Sequence, residues 1–382
     1  MLKILSGLCI ILSISSACVL APDHTSPIEA STKDSADDIS VSDYVVGLTV
    51  PWDFEFAPDK TLYITERPGR IRVVRDGQLV KKALHTLDDV VCKGESGLMG
   101  LALHPDFSTN GWLYVCYSTK KEASIINRIK RFRVNNDTLT DGKVLLDDIP
   151  GAQVHDGCGL RFGPDKKLYI TTGEATKKEY AQKFDSLLGK TLRINDDGTI
   201  PSDNPFYNKA GARQEIWSLG HRNAQGIDFQ PGSDIMFQTE HGPSGFDGPG
   251  GGDEVNIVRA GDNLGWPIVH HDKKKPGYRS PLLEFTPAIA PAGASFYRSA
   301  KVKKWSGNLF FACLKGQSVM RIELSGEKVV HQERLFHKKF GRIRHVAEGP
   351  DGALYFSTSN RDGRGEPKAP DDRIIRAMPT SG

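Results

Sequence analysis

The 382-residue chain is short of the motifs that most readily identify a function. It has no G-x-G-x-x-G opening a helix, no G-x-x-x-x-G-K-[ST] loop, no H-E-x-x-H and no G-x-S-x-G. These absences remove the usual support for nicotinamide, nucleotide, zinc-protease and esterase sites. A dominant charge is missing too: 50 Lys and Arg face 47 Asp and Glu, a net +3. That balance gives no electrostatic case for nucleic acid or for an anionic membrane surface. The six cysteines include no C-x-x-C pair, which argues against a zinc site. Long helical periodicity is nearly absent.

One apolar run, residues 4–14, follows Lys3 and precedes Ser15, Ser16, Ala17 and Cys18. It is too short to span a bilayer comfortably, and the pattern describes a secretory signal peptide over residues 1–18. Cys18 after small residues also matches a lipoprotein cleavage box, which would leave a lipidated Cys18 as the only membrane attachment; the alternative is ordinary cleavage near Ala21. Residues 19–43 are rich in Ser, Thr, Asp and Pro. Such a segment buries too little apolar surface to offset its ordering entropy and is expected to be a disordered tether. The folded domain is then expected over residues 44–382.

Within that domain one phrase recurs: a small apolar strand, a Pro-Asp turn and an apolar-aromatic strand. Its copies are FEFAPDKTLYITE from Phe54, LALHPDFSTNGWLYVCYS from Leu101, LRFGPDKKLYITTGE from Leu160 and IDFQPGSDIMFQTEHG from Ile227. WSGNLFFACLKG from Trp305 is abbreviated, and VAEGPDGALYFSTSN from Val346 completes the set. Pro presets the first corner of each turn, so each copy is a hairpin. Six long repeats predict an all-β fold, a six-bladed β-propeller. The largest insertion, near Asp247 to Lys275, should emerge on the face where binding sites of repeat folds collect.

Polar clusters stand at the ends of the hairpin strands: GESGLMG around Glu95, HDGC from His155 with Glu174 closing its hairpin, GHRNAQG around Arg222, EHGP from Glu240, Lys315 in CLKGQS, and GRIR from Gly341. Arg342 and Arg344, two apart on a strand, share one face. Taken singly these read blandly: a loop histidine, a turn arginine, a solvated strand face, a flexible Gly-Pro loop.

Taken in order, GLTVPWDFEFAPD, GLMGLALHPDF, SLGHRNAQG, EHGP, DEVNIVRAGDNLGWP and NRDGRG…DDRIIR resemble the soluble quinoprotein glucose and aldose sugar dehydrogenases, from about Leu48 to Ala377. The resemblance implies oxidation of an aldose at C1 to the lactone, with pyrroloquinoline quinone (PQQ) and Ca2+ as cofactors. His155 falls where such enzymes place the general base, and Glu174 where an acidic residue orients it. Arg222 and Asn223 match quinone-contacting positions, Arg222 with an electrostatic role at the C5 oxygen. Lys315, Arg342 and Arg344 match positions that hold the cofactor's acidic groups. Gly242 and Pro243 match the carbonyl pair for calcium, and Glu254 and Leu264 match a second calcium site. Glu95 stands at a cofactor position usually held by Gln, Gly159 where many relatives have Arg, Leu264 where they have Tyr, and His345 where Asp is usual.

Cys116 and Cys313, in apolar strands, are expected as buried packing residues, whereas Cys92 and Cys158 flank the implied site and could pair. The expected partners are an aldose and an extracytoplasmic electron acceptor, with no nucleic acid. Two other readings stay open: a calcium-dependent propeller hydrolase, lactonase-like, which needs an acidic cage in the central channel, and a non-catalytic binding propeller.

Overall fold

The computed structural model describes residues 38–380. The signal peptide, Cys18 and most of the expected tether lie outside the described residues.

Six antiparallel sheets are arranged as blades. In chain order their first strands are Pro51–Phe56, Leu98–Leu103, Gly157–Phe162, Ala224–Phe229, Pro291–Phe296 and Ile343–Glu348. Each of these contacts the next, and the sixth returns to the first, so they form a closed ring around the axis. Crowding at the axis explains their small residues. A Cβ on Gly100 would meet the Cys158 carbonyl oxygen of the next blade at 2.0 Å, so only glycine fits there. Second strands such as Leu62–Glu66, Leu168–Thr172 and Met236–Glu240 are buried along their whole length. They are sandwiched between neighbouring blades, which is why the sequence reads there as continuous apolar runs. Five of the hairpins seen in the sequence are these first and second strands; the abbreviated copy from Trp305 holds only the second strand of blade five, whose first strand, Pro291–Phe296, lies ahead of it.

Blades are joined laterally by hydroxyls. Thr65 Oγ1 donates to the Met99 carbonyl (2.6 Å), Thr171 Oγ1 to that of Ala224 (2.7 Å) and Thr239 Oγ1 to that of Ala292 (2.6 Å). Blade two has Cys116 at the matching register, between the Leu98–Tyr117 and Leu101–Val115 pairs. It forms a disulfide with Cys158 on the first strand of blade three. This corrects two expectations: Cys116 is a cross-link rather than a packing residue, and Cys158 pairs with it rather than with Cys92. Cys92 is free and exposed, and Cys313 is free and buried as expected.

The fold also begins earlier than residue 44. Ile39–Val45 pairs with Ile374–Pro379 as the outer strand of blade six, from Ile39 opposite Pro379 to Val45 opposite Ile374. Only its two ends are buried, so an edge strand with a solvated face has the composition of a linker. The ring is thereby closed by strands from opposite ends of the domain.

All connections from a fourth strand to the next blade, and from a second strand to a third, emerge at one end of the ring. Each first strand carries a register shift near this end, as between Gly157 and Leu160 or Ala224 and Gly226. Bulges of this kind re-aim side chains at a rim.

The disulfide closes a 42-residue separation, for which loop entropy gives about 4 kcal/mol. A non-reducing peptide map should join the Cys116 and Cys158 peptides, and the paired Cys116→Ser, Cys158→Ser variant should lose roughly that stability in denaturant titration. An unchanged midpoint would remove the disulfide from the account of blade two and blade three.

Candidate active site

His155 lies in the connection entering blade three, with φ at 60°. Its backbone N–H donates to Glu95 Oε2 (3.1 Å), and its carbonyl accepts from Ala175 N (3.1 Å). Its ring is hydrogen-bonded at both nitrogens. Nδ1 meets Glu174 Oε1, and Nε2 lies 3.1 Å from Arg222 Nη2. A guanidinium can only donate, so Nε2 carries the lone pair and Nδ1 the proton that Glu174 accepts. The two neighbours thus fix one neutral tautomer.

Arg222 is itself held from four sides and is only 2% exposed. Its backbone N–H donates to Glu240 Oε1, Nε to Asp247 Oδ2 (2.7 Å), Nη1 to the His241 carbonyl (3.1 Å) and Nη2 also to Ser244 Oγ (3.0 Å). Glu240 holds His221 with its other oxygen (2.8 Å). His221–Glu240 repeats His155–Glu174 at the same spacing of 19 residues, one blade on. His221 is fully buried and braced by Ser218 Oγ at 2.8 Å, so this copy supports the arginine while the other faces open space.

That space is a cleft of about 710 Å³ at the loop-bearing end of the ring. Glu95, His155, Arg222, Gly242, Pro243, Lys315 and Arg342 line it, from four junctions between blades and two loops within blades. Glu174, Asn223 and Arg344 do not line it. Asn223 braces the strand after His155, accepting from Gly157 N at 3.0 Å, and Arg344 donates to Gln225 Oε1 at 2.7 Å.

The cleft contains more cation than its surroundings neutralise. Arg342 pairs with Asp362 (2.8 Å) and Arg364 with Glu95 (2.6 Å). Lys315 and Arg344 have no ion-pair partner among the described residues. Burial, with Arg342 and Arg67 nearby, pulls the Arg344 guanidinium down to about 10 against the opposing effect of Asp362 and Glu95. Burial works against ionisation of Glu95, but His241, Arg364 and the His155 N–H more than offset it and hold its carboxyl down to about 2. The unusual glutamate is therefore compensated, by an arginine 269 residues away. Arg344 Nε, His241 Nε2 and Asn223 Nδ2 are buried without hydrogen-bond partners. An unpaired Lys315 on the cleft wall, with Arg344 buried beside Arg342, suits an anionic ligand.

Behind Gly242 and Pro243 is a second, small cavity of about 10 Å³, lined also by Glu240, Glu254 and Leu264. That is room for one water or one ion. Burial and the neighbouring Glu240, Glu284 and Asp253 push the Glu254 carboxyl well up, despite a hydrogen bond from Asn256. Crowded buried carboxylates with backbone oxygens nearby are the donor set of a hard cation. All four residues expected at calcium thus meet at this one place.

The central channel looks different. Asp228 is paired with Arg161 (3.3 Å) and Arg298 (2.9 Å), and Asp53 with His345 (3.3 Å). Asp53, Glu55 and Asp228 share the buried Arg161 rather than standing as an open acidic cage, which weakens the hydrolase reading. His345 touches Asp53 as a neutral ring, since burial pushes its pKa down to about 3.

Sequence reasoning missed Asp247, Ser244, His241, Arg364 and the His221–Glu240 pair. The repeated 19-residue His–Glu spacing was a signal for the last; Arg364 lay within the quoted NRDGRG phrase.

Known proteins resemble the chain in sequence and fold. Residues 48–375 match the model of the glucose / sorbosone dehydrogenase family. The aldose sugar dehydrogenase of Escherichia coli K12 is 33% identical over 332 residues, covering 82% of this chain and 88% of its own. Quinoprotein glucose dehydrogenase B of Acinetobacter calcoaceticus is 33% identical over 261 residues, 60% of this chain and 53% of that one. Among solved structures, the PQQ-bound aldose sugar dehydrogenase of Streptomyces coelicolor superposes with a TM-score of 0.78 at 31% identity, covering 89% of this chain and 98% of the other. The chain belongs to the glucose / sorbosone dehydrogenase family.

Proposed function

We propose that the protein oxidises aldoses at C1 to the lactone, using PQQ and calcium. The observation that carries this reading is the His155 lone pair, fixed on Nε2 by Glu174 and Arg222 at the wall of a cleft with surplus positive charge.

Lys315, Arg342 and Arg344 would hold the carboxylates of the quinone, and Arg222, Asn223 and Glu95 would contact its ring system. Gly242 and Pro243 would offer carbonyl oxygens to calcium beside it, and Glu254 with the Leu264 carbonyl a second calcium position. When bound, the quinone supplies the hydride acceptor and calcium the Lewis acid that polarises it.

The protein's own part follows from the hydrogen bonds. The single Nε2 lone pair cannot serve Arg222 and a sugar hydroxyl at once. An anomeric O–H entering the cleft therefore replaces the Arg222 N–H, and His155 takes its proton as C1 loses hydride. Glu174 stabilises the resulting imidazolium through Nδ1–H. The freed guanidinium N–H is then available to the oxygen on which negative charge builds. Asp247 and Glu240 keep that guanidinium in place during the exchange.

An extracytoplasmic location fits a buried disulfide in this chain. Electrons would pass to an acceptor outside the cytoplasm, with any membrane attachment made through Cys18.

Mature protein supplied with quinone and calcium should reduce a redox dye when given aldoses and show sugar-dependent bleaching of a bound chromophore. Silence with every aldose would overturn the proposal, and lactone hydrolysis without quinone would favour the hydrolase. His155→Ala should lower kcat by about 10²- to 10⁴-fold while the chromophore still binds. Glu174→Gln should cost about 10²-fold or more, because an amide can donate to Nδ1 and move the lone pair away from the sugar. Activity near wild type in either variant would refute the base assignment. For calcium, metal-depleted protein should gain about 5 °C in Tm at calcium near 100-fold above its Kd, and Glu254→Gln should gain less, keeping only the site at the Gly242 and Pro243 carbonyls. An equal gain in the variant would take Glu254 out of the metal site.

A further inference from the structure

Residues 241–252 connect the second and third strands of blade four as a strap across the cleft. Its two feet are tied down. Gly242 N donates to Asp253 Oδ1 (2.8 Å), Gly251 N to the Pro243 carbonyl (3.3 Å) and Gly252 N to Thr286 Oγ1 (2.9 Å). A Cβ on Gly242 would meet the Gly251 carbonyl oxygen at 2.2 Å, so the feet can approach this closely only as glycine.

The crown is tied as well, and to the reaction centre itself. Asp247 Oδ2 accepts from Arg222 Nε (2.7 Å), its Oδ1 accepts from Ser244 N (2.9 Å), and Ser244 Oγ accepts from Arg222 Nη2 (3.0 Å). Between these two anchors stands Phe246. Its ring lies nearly parallel to the His155 imidazole, centroids 5.8 Å apart and planes 17° off. Among the described residues it is the most exposed large hydrophobic, at 69% where the next reaches 48%.

An isolated exposed apolar residue on a surface needs no explanation. This one differs in being held by two polar anchors, beside the base, inside the one cleft that carries the chemistry. Leaving most of a Phe side chain in water forgoes the stabilisation of burying it, and a bound molecule would recover it. The ligand has to present an apolar face to the ring and a hydroxyl to Nε2. A pyranose does both: its axial C–H bonds form an apolar face, and its hydroxyls point outward. The negative face of an aromatic ring attracts such polarised C–H groups.

We infer that Phe246 is the aromatic platform on which the sugar ring rests, and so a specificity-determining residue. The inference rests on the aldose reading above and adds which aldoses are preferred. Those with all hydroxyls equatorial lie flat on Phe246; an axial hydroxyl on that face lifts the ring off it.

The test compares wild type, Phe246→Ala and Phe246→Trp by steady-state kinetics with glucose and with galactose, and by calorimetric binding of glucose to quinone-free protein. Expected for Phe246→Ala is a KM for glucose raised about 10-fold, kcat lowered at most about threefold, and a reduced preference for glucose over galactose, with Phe246→Trp close to wild type. Glucose binding should weaken in parallel. Unchanged KM and unchanged glucose binding in Phe246→Ala would overturn the platform while leaving a dye-reducing wild type, and with it the dehydrogenase reading, intact. Glucose binding that depends on Phe246 in a protein that never turns over would keep the platform and sink the redox reading. Wild-type protein that neither binds nor oxidises glucose or galactose would overturn both.

Discussion

The chemistry depends on a hydrogen-bond inequality. An arginine has donors only and an ionised glutamate acceptors only, so an imidazole between them has one available protonation pattern. Glu174 and Arg222 face the two nitrogens of His155, and the lone pair is held on Nε2 against Arg222 at the cleft wall. Neither partner is free to move. Glu174 N is bonded to the Arg222 carbonyl at 2.8 Å, and the Arg222 N–H to Glu240. His155, Glu174 and Arg222 are thus one hydrogen-bonded unit spanning two blades.

The propeller supplies that unit by repetition. Every blade begins its first strand and ends its second at the same rim, so a histidine entering the first strand meets a glutamate closing the second strand of the same blade. The device occurs twice, at His155–Glu174 and His221–Glu240, with opposite outcomes. The buried copy fixes a neighbour, while the copy facing the cleft keeps a nitrogen for substrate. The same lateral geometry joins blades through threonines at three places and through the Cys116–Cys158 bond at a fourth. A cross-link next to the His155 loop anchors the strand that follows it.

What the sequence revealed and what it concealed divide along physical lines. The hairpins were legible because second strands are enclosed by blades on both sides and must be apolar throughout. The site residues were legible in kind because polar clusters at strand ends have to gather at a rim, and the family resemblance supplied their roles. Lateral neighbours were not legible. Cys116 and Cys158 are 42 residues apart, and their meeting depends on blade-to-blade register that no local pattern encodes. Residues 39–43 read as tether because an edge strand with a wet face has a linker's composition. Asp247 and Phe246 lie in a glycine-rich strap without periodicity, and only the folded chain brings them to Arg222 and His155. Glu95 looked unfavourable beside an anionic ligand until Arg364 was found against it.

The tautomer of His155 is the most direct point of attack. Nitrogen-15 NMR of the histidine rings in the quinone-free protein at neutral pH, assigned with His155→Ala, reports which ring nitrogen carries the proton. The account predicts a protonated Nδ1 and a pyridine-type Nε2 for His155. A proton on Nε2, whether in the other tautomer or in an imidazolium, would contradict it, since Arg222 could not then face that nitrogen and the sugar would find no base.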